Sequence, residues 1–328
     1  MIRFYAARRF LWGMERFIDG WAPHLAEVID PVAYDDVRVG DPLPPGVHVF
    51  ADFERLLRSE LALVRRLHDR LAAQPGSYVT LNDPAAWTGR LGLLQDLAAM
   101  GINDFRAYRL RDRGAEVRFP AFLRWANEHS GSLGAVVHSE AELRQRIRER
   151  VSRRRRLFNR DLLVVEHADT VGEDGMFRKY SAMKIGERLV PRHVLVSRRW
   201  MVKKPMVVTP AIAEEEREFV ETFPHEAALR EVYAVSGIDY GRIDYGFSRG
   251  RLQVWEINTN PVIVPTPDQI DPVRLPAQER SAAAIVSAFE ELAAQAPTAP
   301  GARSLGLAER VAWAAQVRVT RRYDRRRR

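Results

Sequence analysis

The first hundred residues alternate between short apolar runs and longer segments in which apolar residues recur every three or four positions. Short apolar runs predict strands, and the three-to-four spacing predicts amphipathic helices. The strands predicted here are Ile2–Ala6, Val47–Phe50 and Ser77–Leu81, and the helices are Arg8–Val28 (interrupted near Gly20), Phe53–Ala73 and Ala85–Met100. This alternation of strand and helix predicts a small, mostly parallel α/β layer.

From residue 106 onward the pattern changes to strands separated by short turns. The strands predicted there are Arg106–Leu110, Glu116–Pro120, Ala121–Trp125, Ala135–Val137, Leu162–Val165, Phe177–Ile185, Arg188–Pro191, Arg192–Ser197, Arg242–Ser248 and Leu252–Ile257. The helices are Glu140–Arg156, Glu214–Ser236 and Ala277–Gln295, followed by a final helix and a basic tail. The last two strands are predicted to form a hairpin. The predicted fold class is therefore α/β (α+β).

The chain of 328 residues exceeds one ordinary domain, which predicts several subdomains that share a cleft. We predict an N-terminal α/β domain at 1–105, a central subdomain at 106–185, a C-terminal subdomain at 186–297, and a helix with a basic tail at 298–328. No stretch approaches the roughly 18 apolar residues that span a bilayer, so we expect no membrane partner. The absence of cysteine excludes disulfides and thiolate chemistry, and it favours a cytoplasmic protein.

The net charge of +8 invites a nucleic-acid interpretation. However, acids and bases are mixed along the chain outside two basic runs, Arg153–Arg156 and the segment 321–328, so we do not expect nucleic acid as a partner. Only four of the 51 basic residues are lysines. Because arginine is the usual cation of this chain, the clustering of all four lysines predicts a local chemical role. They are Lys179, Lys184, Lys203 and Lys204.

The predicted hairpin carries the first candidate site. Glu256 and Asn258 are two positions apart in a strand, so their side chains share a face, and Asp244 lies on the neighbouring strand. Three oxygen donors on one face are the ligands that Mg²⁺ prefers. The alternative is an exposed hairpin with polar residues on its outer face. The surrounding residues are apolar and aromatic, and buried carboxylates need a partner, yet the residues alone leave both interpretations open.

The hairpin also resembles a known family. Gly241–Asp244 reads GRID and Glu256–Pro261 reads EINTNP. Together they resemble the C-terminal signature of ATP-grasp enzymes, particularly the D-alanine–D-alanine ligase branch. The resemblance implies an ATP-grasp architecture, in which an N-terminal α/β layer adjoins two subdomains that enclose the nucleotide. Val262–Ile263–Val264 departs from those ligases, which have glycine there, so we expect a different second-substrate pocket.

The resemblance assigns roles to the hairpin residues. It implies that Mg²⁺ on the ATP phosphates is held by Asp244, Glu256 and Asn258. It also implies that Arg242 contacts the acyl phosphate or the tetrahedral oxyanion. A guanidinium is permanently charged and forks onto oxyanions, which agrees with that role.

The strand Leu162–Glu166 (LLVVE) resembles the adenine hinge of the same family. The resemblance implies that Val165 and Glu166 read the adenine amino group, and that Glu173 (or Asp174) holds the ribose. Without the resemblance, LLVVE is typical of a buried strand with a polar end.

Two arginines match cationic positions of the family. Phe119–Arg124 (FPAFLR) resembles a strand whose lysine reaches the α and β phosphates, and here that position is Arg124. Arg90 matches an earlier cationic position, and a solvated helix face is the alternative for it. Because arginine and lysine differ in geometry, the change at Arg124 bears on nucleotide affinity.

The loop His129–Gly134 resembles the flexible loop that covers the phosphates, with Ser130, Gly131 and Ser132 as candidate contacts. A glycine turn between strands is the alternative. Among the lysines, we predict Lys203 as the main phosphate contact and catalytic cation, with Lys184 as a further nucleotide-binding residue.

The leading hypothesis is an ATP-dependent carboxylate–amine (or carboxylate–thiol) ligase that uses Mg·ATP, forms an acyl phosphate and releases ADP. Its substrates would be a small-molecule or peptide carboxylate and an amine, and a homodimer is left open. The alternatives are an ATP-grasp kinase that stops at phosphoryl transfer, and a nucleotide-binding or nucleic-acid-binding protein without turnover.

Overall fold

The structure is a computed structural model that describes residues 1–37, 42–110, 112, 117–128, 131–151, 162–204 and 207–297. Its strands are β1 (Ile2–Ala6), β2 (Ile29–Ala33), β3 (Gly46–Phe50), β4 (Tyr78–Leu81), β5 (Ala107–Arg109), β6 (Ala121–Trp125), β7 (Leu162–Glu166), β8 (Phe177–Ile185), β9 (Arg188–Ser197), β10 (Tyr240–Ser248) and β11 (Arg251–Asn258). Its helices are α1 (Trp12–Trp21), α2 (Arg58–Ala72), α3 (Gly89–Ala99), α4 (Glu140–Arg150), α5 (Pro210–Thr222), α6 (Glu226–Ser236) and α7 (Leu275–Ala294).

The N-terminal layer is a four-stranded parallel sheet in the order β2-β1-β3-β4, which confirms the predicted parallel α/β layer. Strand β2 was not predicted, because Pro31 interrupts its strand pattern. The structure accommodates that proline because β2 is an edge strand, where the missing N–H leaves no ladder bond unmade.

A second sheet is antiparallel, in the order β11-β10-β8-β9. The predicted strands Arg188–Pro191 and Arg192–Ser197 form the single strand β9, with a register shift where it passes Ser181 and Ala182 of β8. Since β8 and β9 pair as a hairpin, the predicted boundary between residues 185 and 186 falls in their connecting turn. One face of this sheet packs on α3, α5 and α6.

The central part of the chain forms a three-stranded antiparallel sheet in the order β5-β7-β6. The predicted strand Glu116–Pro120 is not a strand in its described part, and in Ala135–Val137 only Val137 makes a bridge, to Ala121. Helix α4 ends at Arg150 rather than at Arg156.

The predicted long helix Glu214–Ser236 is two helices, α5 and α6. Phe223 adopts a left-handed conformation with φ of 41° at the break. Pro224 follows and cannot continue the helix, because it lacks the N–H that the helical hydrogen bond requires.

Several predictions lie outside the described residues: Ser130, the run Arg153–Arg156, the final helix and the basic tail. Among the described helices, none combines the length and the apolarity that crossing a membrane would require.

Asn82 joins the N-terminal layer to the second sheet. It follows β4, is fully buried and has φ of 64°. Its Nδ2 donates to the carbonyls of Phe50 (2.9 Å) and Tyr240 (2.8 Å), and its Oδ1 accepts from the backbone N–H groups of Asp239 and Tyr240 (2.8 Å each). The first residue of β10 is therefore fixed to the end of the parallel sheet.

We expect Asn82→Ala to lower the free energy of unfolding by about 3 kcal/mol or more, because it strands several buried backbone groups. The free energy of unfolding of Asn82→Gly should be about 1 kcal/mol higher than that of the alanine variant, because glycine adopts positive φ without strain. Chemical denaturation measures both. The matched control is Gln145→Ala, which removes an exposed amide bonded within α4. An alanine variant as stable as the wild type would show that this junction contributes little.

Candidate active site

The register of β10 and β11 places four polar residues on one face. Asp244 pairs directly with Glu256, and Arg242 pairs with Asn258. Directly opposed residues of an antiparallel pair point to the same side of the sheet. The three predicted metal ligands and Arg242 therefore lie together, as the hairpin prediction required.

Asp244 is surrounded by donors. Its Oδ2 accepts from Nζ of Lys179 at 2.7 Å, and its Oδ1 accepts from Oγ of Ser181 at 2.7 Å and Nε of Arg242 at 3.1 Å. Burial would raise the pKa of this carboxyl, but Arg242 and Lys179 outweigh burial and hold its pKa far below the ordinary range. Asp244 is thus an anion near neutral pH.

Glu256 faces two buried arginines. Arg90 contacts Glu256 Oε2 directly and also donates to the carbonyls of Trp125, Ala126 and Glu128, while Arg124 Nη2 lies 3.5 Å from the same Oε2. Burial lowers the pKa of Arg124 to about 10, so its guanidinium remains charged near neutrality, and burial also lowers the pKa of Arg90.

The Nε atoms of both arginines are buried without a hydrogen-bond partner in the described part of the chain. A buried donor without an acceptor is costly, and an anion beside it would remove that cost. Arg90 and Arg124 are therefore suited to receive an anionic ligand.

A cavity adjoins this charged face. One end is aromatic, and the Trp200 ring lies 4.9 Å from that of Phe122 and 5.2 Å from that of His167. The described lining residues are Phe105, Phe122, Arg124, Val165, Glu166, His167, Ala168, Thr170, Lys179, Trp200, Met201, Val202, Lys203, Asp244, Trp255 and Glu256. The cavity thus offers an aromatic, apolar compartment next to a cluster of cations.

Solved structures with a similar fold are D-alanine–D-alanine ligases and a RimK domain protein. The ligase from Coxiella burnetii superposes with a TM-score of 0.52 at 12% identity, covering 98% of this chain and 98% of that chain. The ligase from Bacillus anthracis complexed with ATP gives 0.49 at 12% identity over 90% of this chain and 98% of that chain. The RimK domain protein ATP-grasp from Sphaerobacter thermophilus gives 0.48 at 15% identity over 88% and 99%.

The chain has an ATP-grasp fold. At 12% identity the likeness is one of fold, and it confirms the fold that the hairpin signature predicted. No protein-family model matches the sequence, and a search of curated proteins found no match.

Within the ATP-grasp cleft, Glu166 differs from its predicted role. Its carboxylate accepts from the backbone N–H groups of Arg106 and Arg118 (3.0 Å each), from the Arg118 guanidinium (2.7 Å) and from the Tyr108 hydroxyl (3.2 Å). These bonds occupy both oxygens, so the side chain is a structural tie within the central sheet. We therefore correct the prediction that its carboxylate reads an adenine amino group. Val165 and Glu166 still line the cavity.

The prediction that Lys184 binds the nucleotide is also corrected. It lies five positions from Lys179 on β8, and an odd separation puts the two side chains on opposite faces of a strand. Lys184 Nζ lies 3.2 Å from Asp239 Oδ1 and 5.7 Å from the centre of the Tyr233 ring, on the side that packs against α6. Lys179 is the lysine of β8 that reaches the cavity.

The glycine loop lies against the cavity rim. Ser132 bridges to Arg124, and its Oγ donates to Gly134 O at 2.7 Å. Gly131 has φ of 89°, which favours glycine, and a Cβ there would lie 2.7 Å from Lys203 Cε. Glu173 is exposed on a later turn and is not among the described residues that line the cavity.

Ser181 and Trp200 were not predicted as site residues. Lys179 could have been predicted as a site residue. The scarcity of lysine drew attention to it, and its odd separation from Lys184 along β8 means that only one of the two lysines can share the face of Asp244.

Lys203 has a shifted pKa that can be tested directly. Partial burial and the positive charges of Arg124, Lys179 and Arg90 lower its pKa to about 8. At pH 8 about half of Lys203 is therefore the reactive free amine, against under about 1% for a lysine of ordinary pKa near 10.4. We expect acetic anhydride to acetylate Lys203 at least tenfold faster than Lys204, measured by mass spectrometry of timed samples.

Arg124→Met should slow that reaction, because removing one cation raises the pKa of Lys203. Equal labelling rates for Lys203 and Lys204 would contradict a positive field at this rim.

Proposed function

We propose that this protein is an ATP-dependent ligase that joins a carboxylate to an amine, or to a thiol, through an acyl phosphate. The observation that supports it best is the shared face of β10 and β11. There, oxygen donors from Asp244, Glu256 and Asn258 lie beside the cations of an aromatic-ended cavity. This arrangement suits a flat base at one end and a chain of phosphates at the other.

The three oxygen donors fit Mg²⁺ by their chemistry. Glu256 Oε1 has no hydrogen-bond partner among the described residues, and Asp244 Oδ2 accepts from Lys179. Asn258 Oδ1 accepts one hydrogen bond, from the backbone of Asn260 at 2.9 Å. Each oxygen therefore keeps a lone pair for a hard cation. When bound, Mg²⁺ would neutralise phosphate charge and so favour phosphoryl transfer.

The cavity suggests how ATP would lie. Trp200 and Phe122 form an apolar wall on which a purine can stack. Arg124, Lys179 and Lys203 line the other end, within reach of a triphosphate. We propose that Arg124 takes the phosphate role of the family's lysine, with a guanidinium that can share two oxygens.

The proposed reaction has two steps. A carboxylate oxygen of the substrate attacks the γ-phosphorus of ATP, the bond from that phosphorus to the β-phosphate oxygen breaks, and ADP leaves. The amine nitrogen then attacks the carbonyl carbon, the carbon–oxygen bond to phosphate breaks, and the nitrogen loses a proton to water. The chain's own contribution is to position the reactants and to stabilise the developing charge.

Arg242 is placed for the second of these tasks. Its Nε contacts Asp244 and its Nη1 donates to Val262 O at 3.1 Å, whereas Nη2 has no partner in the described part of the chain. The guanidinium is thus fixed beside the metal face with a donor to spare. We propose that this donor binds the oxyanion that forms as the amine attacks.

A hydroxylamine trap tests the proposed function. Wild-type protein, Mg·ATP and a panel of carboxylates are incubated with hydroxylamine, and ADP and hydroxamate are measured. We expect both products in equal amounts with a true substrate, because hydroxylamine captures an acyl phosphate. Glu256→Gln should abolish both, whereas Glu290→Gln, an exposed carboxylate on α7, should leave both unchanged.

The other outcomes point elsewhere. ADP without hydroxamate would indicate a kinase that stops at phosphoryl transfer. Nucleotide binding without ADP release, or polynucleotide binding that falls steeply with salt, would indicate a binding protein.

We expect Arg242→Ala to lower turnover by roughly a hundredfold or more, the usual effect of losing one oxyanion donor. ATP affinity, measured by calorimetry, should change little, because Arg242 is not among the described residues that line the nucleotide cavity. If the variant instead lost thermal stability and metal binding in step with activity, Arg242 would be only the structural partner of Asp244.

A further inference from the structure

A line of hydrogen bonds leads from Asp244 across three neighbouring strands. Asp244 of β10 is directly opposite Ser181 of β8, and Ser181 is directly opposite His193 of β9. Ser181 Oγ lies 2.7 Å from Asp244 Oδ1, and His193 Nε2 lies 3.0 Å from Ser181 Oγ. Ser181 and His193 are buried, and neither is among the described residues that line the cavity.

The direction of each bond follows from the donors available. An ionised carboxylate only accepts, so the single proton of the Ser181 hydroxyl goes to Asp244. Ser181 must then accept from His193, which fixes the proton of the imidazole on Nε2. Burial and the nearby cations Arg192 and Arg242 hold the pKa of His193 well below its ordinary value, so the ring is neutral.

This arrangement determines which oxygen of Asp244 is available. Oδ1 already accepts from Ser181 and from Arg242, and a carboxylate oxygen has two in-plane lone pairs. Oδ2 accepts only from Lys179 among the described residues, and Lys179 lines the cavity. The remaining lone pair of Asp244 is therefore on Oδ2.

We propose that Ser181 and His193 are positioning residues, which lock the Asp244 carboxylate so that Oδ2 alone is presented to the metal. This inference rests on the proposed function, since it takes Asp244 as a ligand of Mg²⁺. It assigns a role to two residues that neither the hairpin signature nor the cavity includes.

The position of His193 favours a role in orienting Ser181 over a role in packing alone. The register of β8 and β9 shifts immediately after the Ser181–His193 pair, so that Ala182 faces Pro191 and Arg192 is the extra residue. A bulge re-aims the side chains around it. Here the irregular position coincides with the imidazole that faces Ser181.

The test measures metal binding rather than turnover. The affinity for Mn²⁺, a paramagnetic substitute for Mg²⁺, is measured by electron paramagnetic resonance at saturating ADP. We expect Ser181→Ala to weaken Mn²⁺ binding about ten- to a hundredfold, the usual effect of removing a partner of a metal ligand. ADP affinity without metal should be unchanged.

His193 separates positioning from packing. His193→Gln keeps an N–H donor near the place of Nε2 and should bind Mn²⁺ within about threefold of the wild type, whereas His193→Phe removes the donor and should resemble Ser181→Ala. The matched control is Ser281→Ala on α7, which removes another buried hydroxyl, one that donates to Pro191 O at 2.9 Å. It should leave Mn²⁺ affinity unchanged even if it lowers the melting temperature.

The outcomes are distinct. If wild-type protein with ADP binds Mn²⁺ and Ser181→Ala binds it equally well, the positioning role is wrong while the proposed function stands. If Ser181→Ala does not fold, the comparison of His193→Gln with His193→Phe decides, and equal affinities overturn the inference. Wild-type protein that binds no Mn²⁺ in the presence of ADP would overturn the proposed function and this inference together.

Discussion

The site depends on keeping two carboxylates charged next to each other inside the protein. Asp244 and Glu256 are direct neighbours across β10 and β11, where like charges repel. Their compensation comes from distant parts of the chain: Lys179 from β8, Arg90 from α3 and Arg124 from β6. Ion pairs thus connect β6, β8 and α3 to the β10–β11 hairpin. Breaking a buried pair of this kind typically costs about 3–5 kcal/mol, because one charge is left without its partner.

The positive charge around the site exceeds the negative charge of the two carboxylates. Arg90, Arg124, Lys179, Lys203 and Arg242 surround two anions, and partial burial together with the neighbouring positive charges lowers the pKa of Lys203. A polyanion that enters the cavity would relieve repulsion among these cations and would supply acceptors for the buried Nε atoms. The charge of this face therefore suits the phosphate-rich ligand that the proposed function requires.

The local features of the fold were predictable from the sequence, and the non-local ones were not. The β10–β11 hairpin could be predicted because its alternation of apolar and polar residues and its Arg249–Gly250 turn are contained in the single short segment Tyr240–Asn258. The break at Pro224 was also readable, since proline cannot continue a helix, and the long-helix prediction overlooked it. Glu166 could not be assigned correctly, because its partners Arg106 and Arg118 lie in segments before β5 and β6 that only the folded sheet brings together. For the same reason, the contact of Ser181 with His193 has no signature in the sequence.

The Asn82 junction holds the start of β10 against the parallel layer. A second junction reinforces it: Glu54 accepts from the backbone and the hydroxyl of Thr259, at 2.7 and 2.8 Å, directly after β11. Both the start of β10 and the end of β11 are therefore hydrogen-bonded to the parallel layer. These contacts hold the β11-β10-β8-β9 sheet against that layer. The β5–β7–β6 sheet instead meets β11 through the ion pair of Arg124 with Glu256, so a shift of that sheet relative to β11 would break this ion pair.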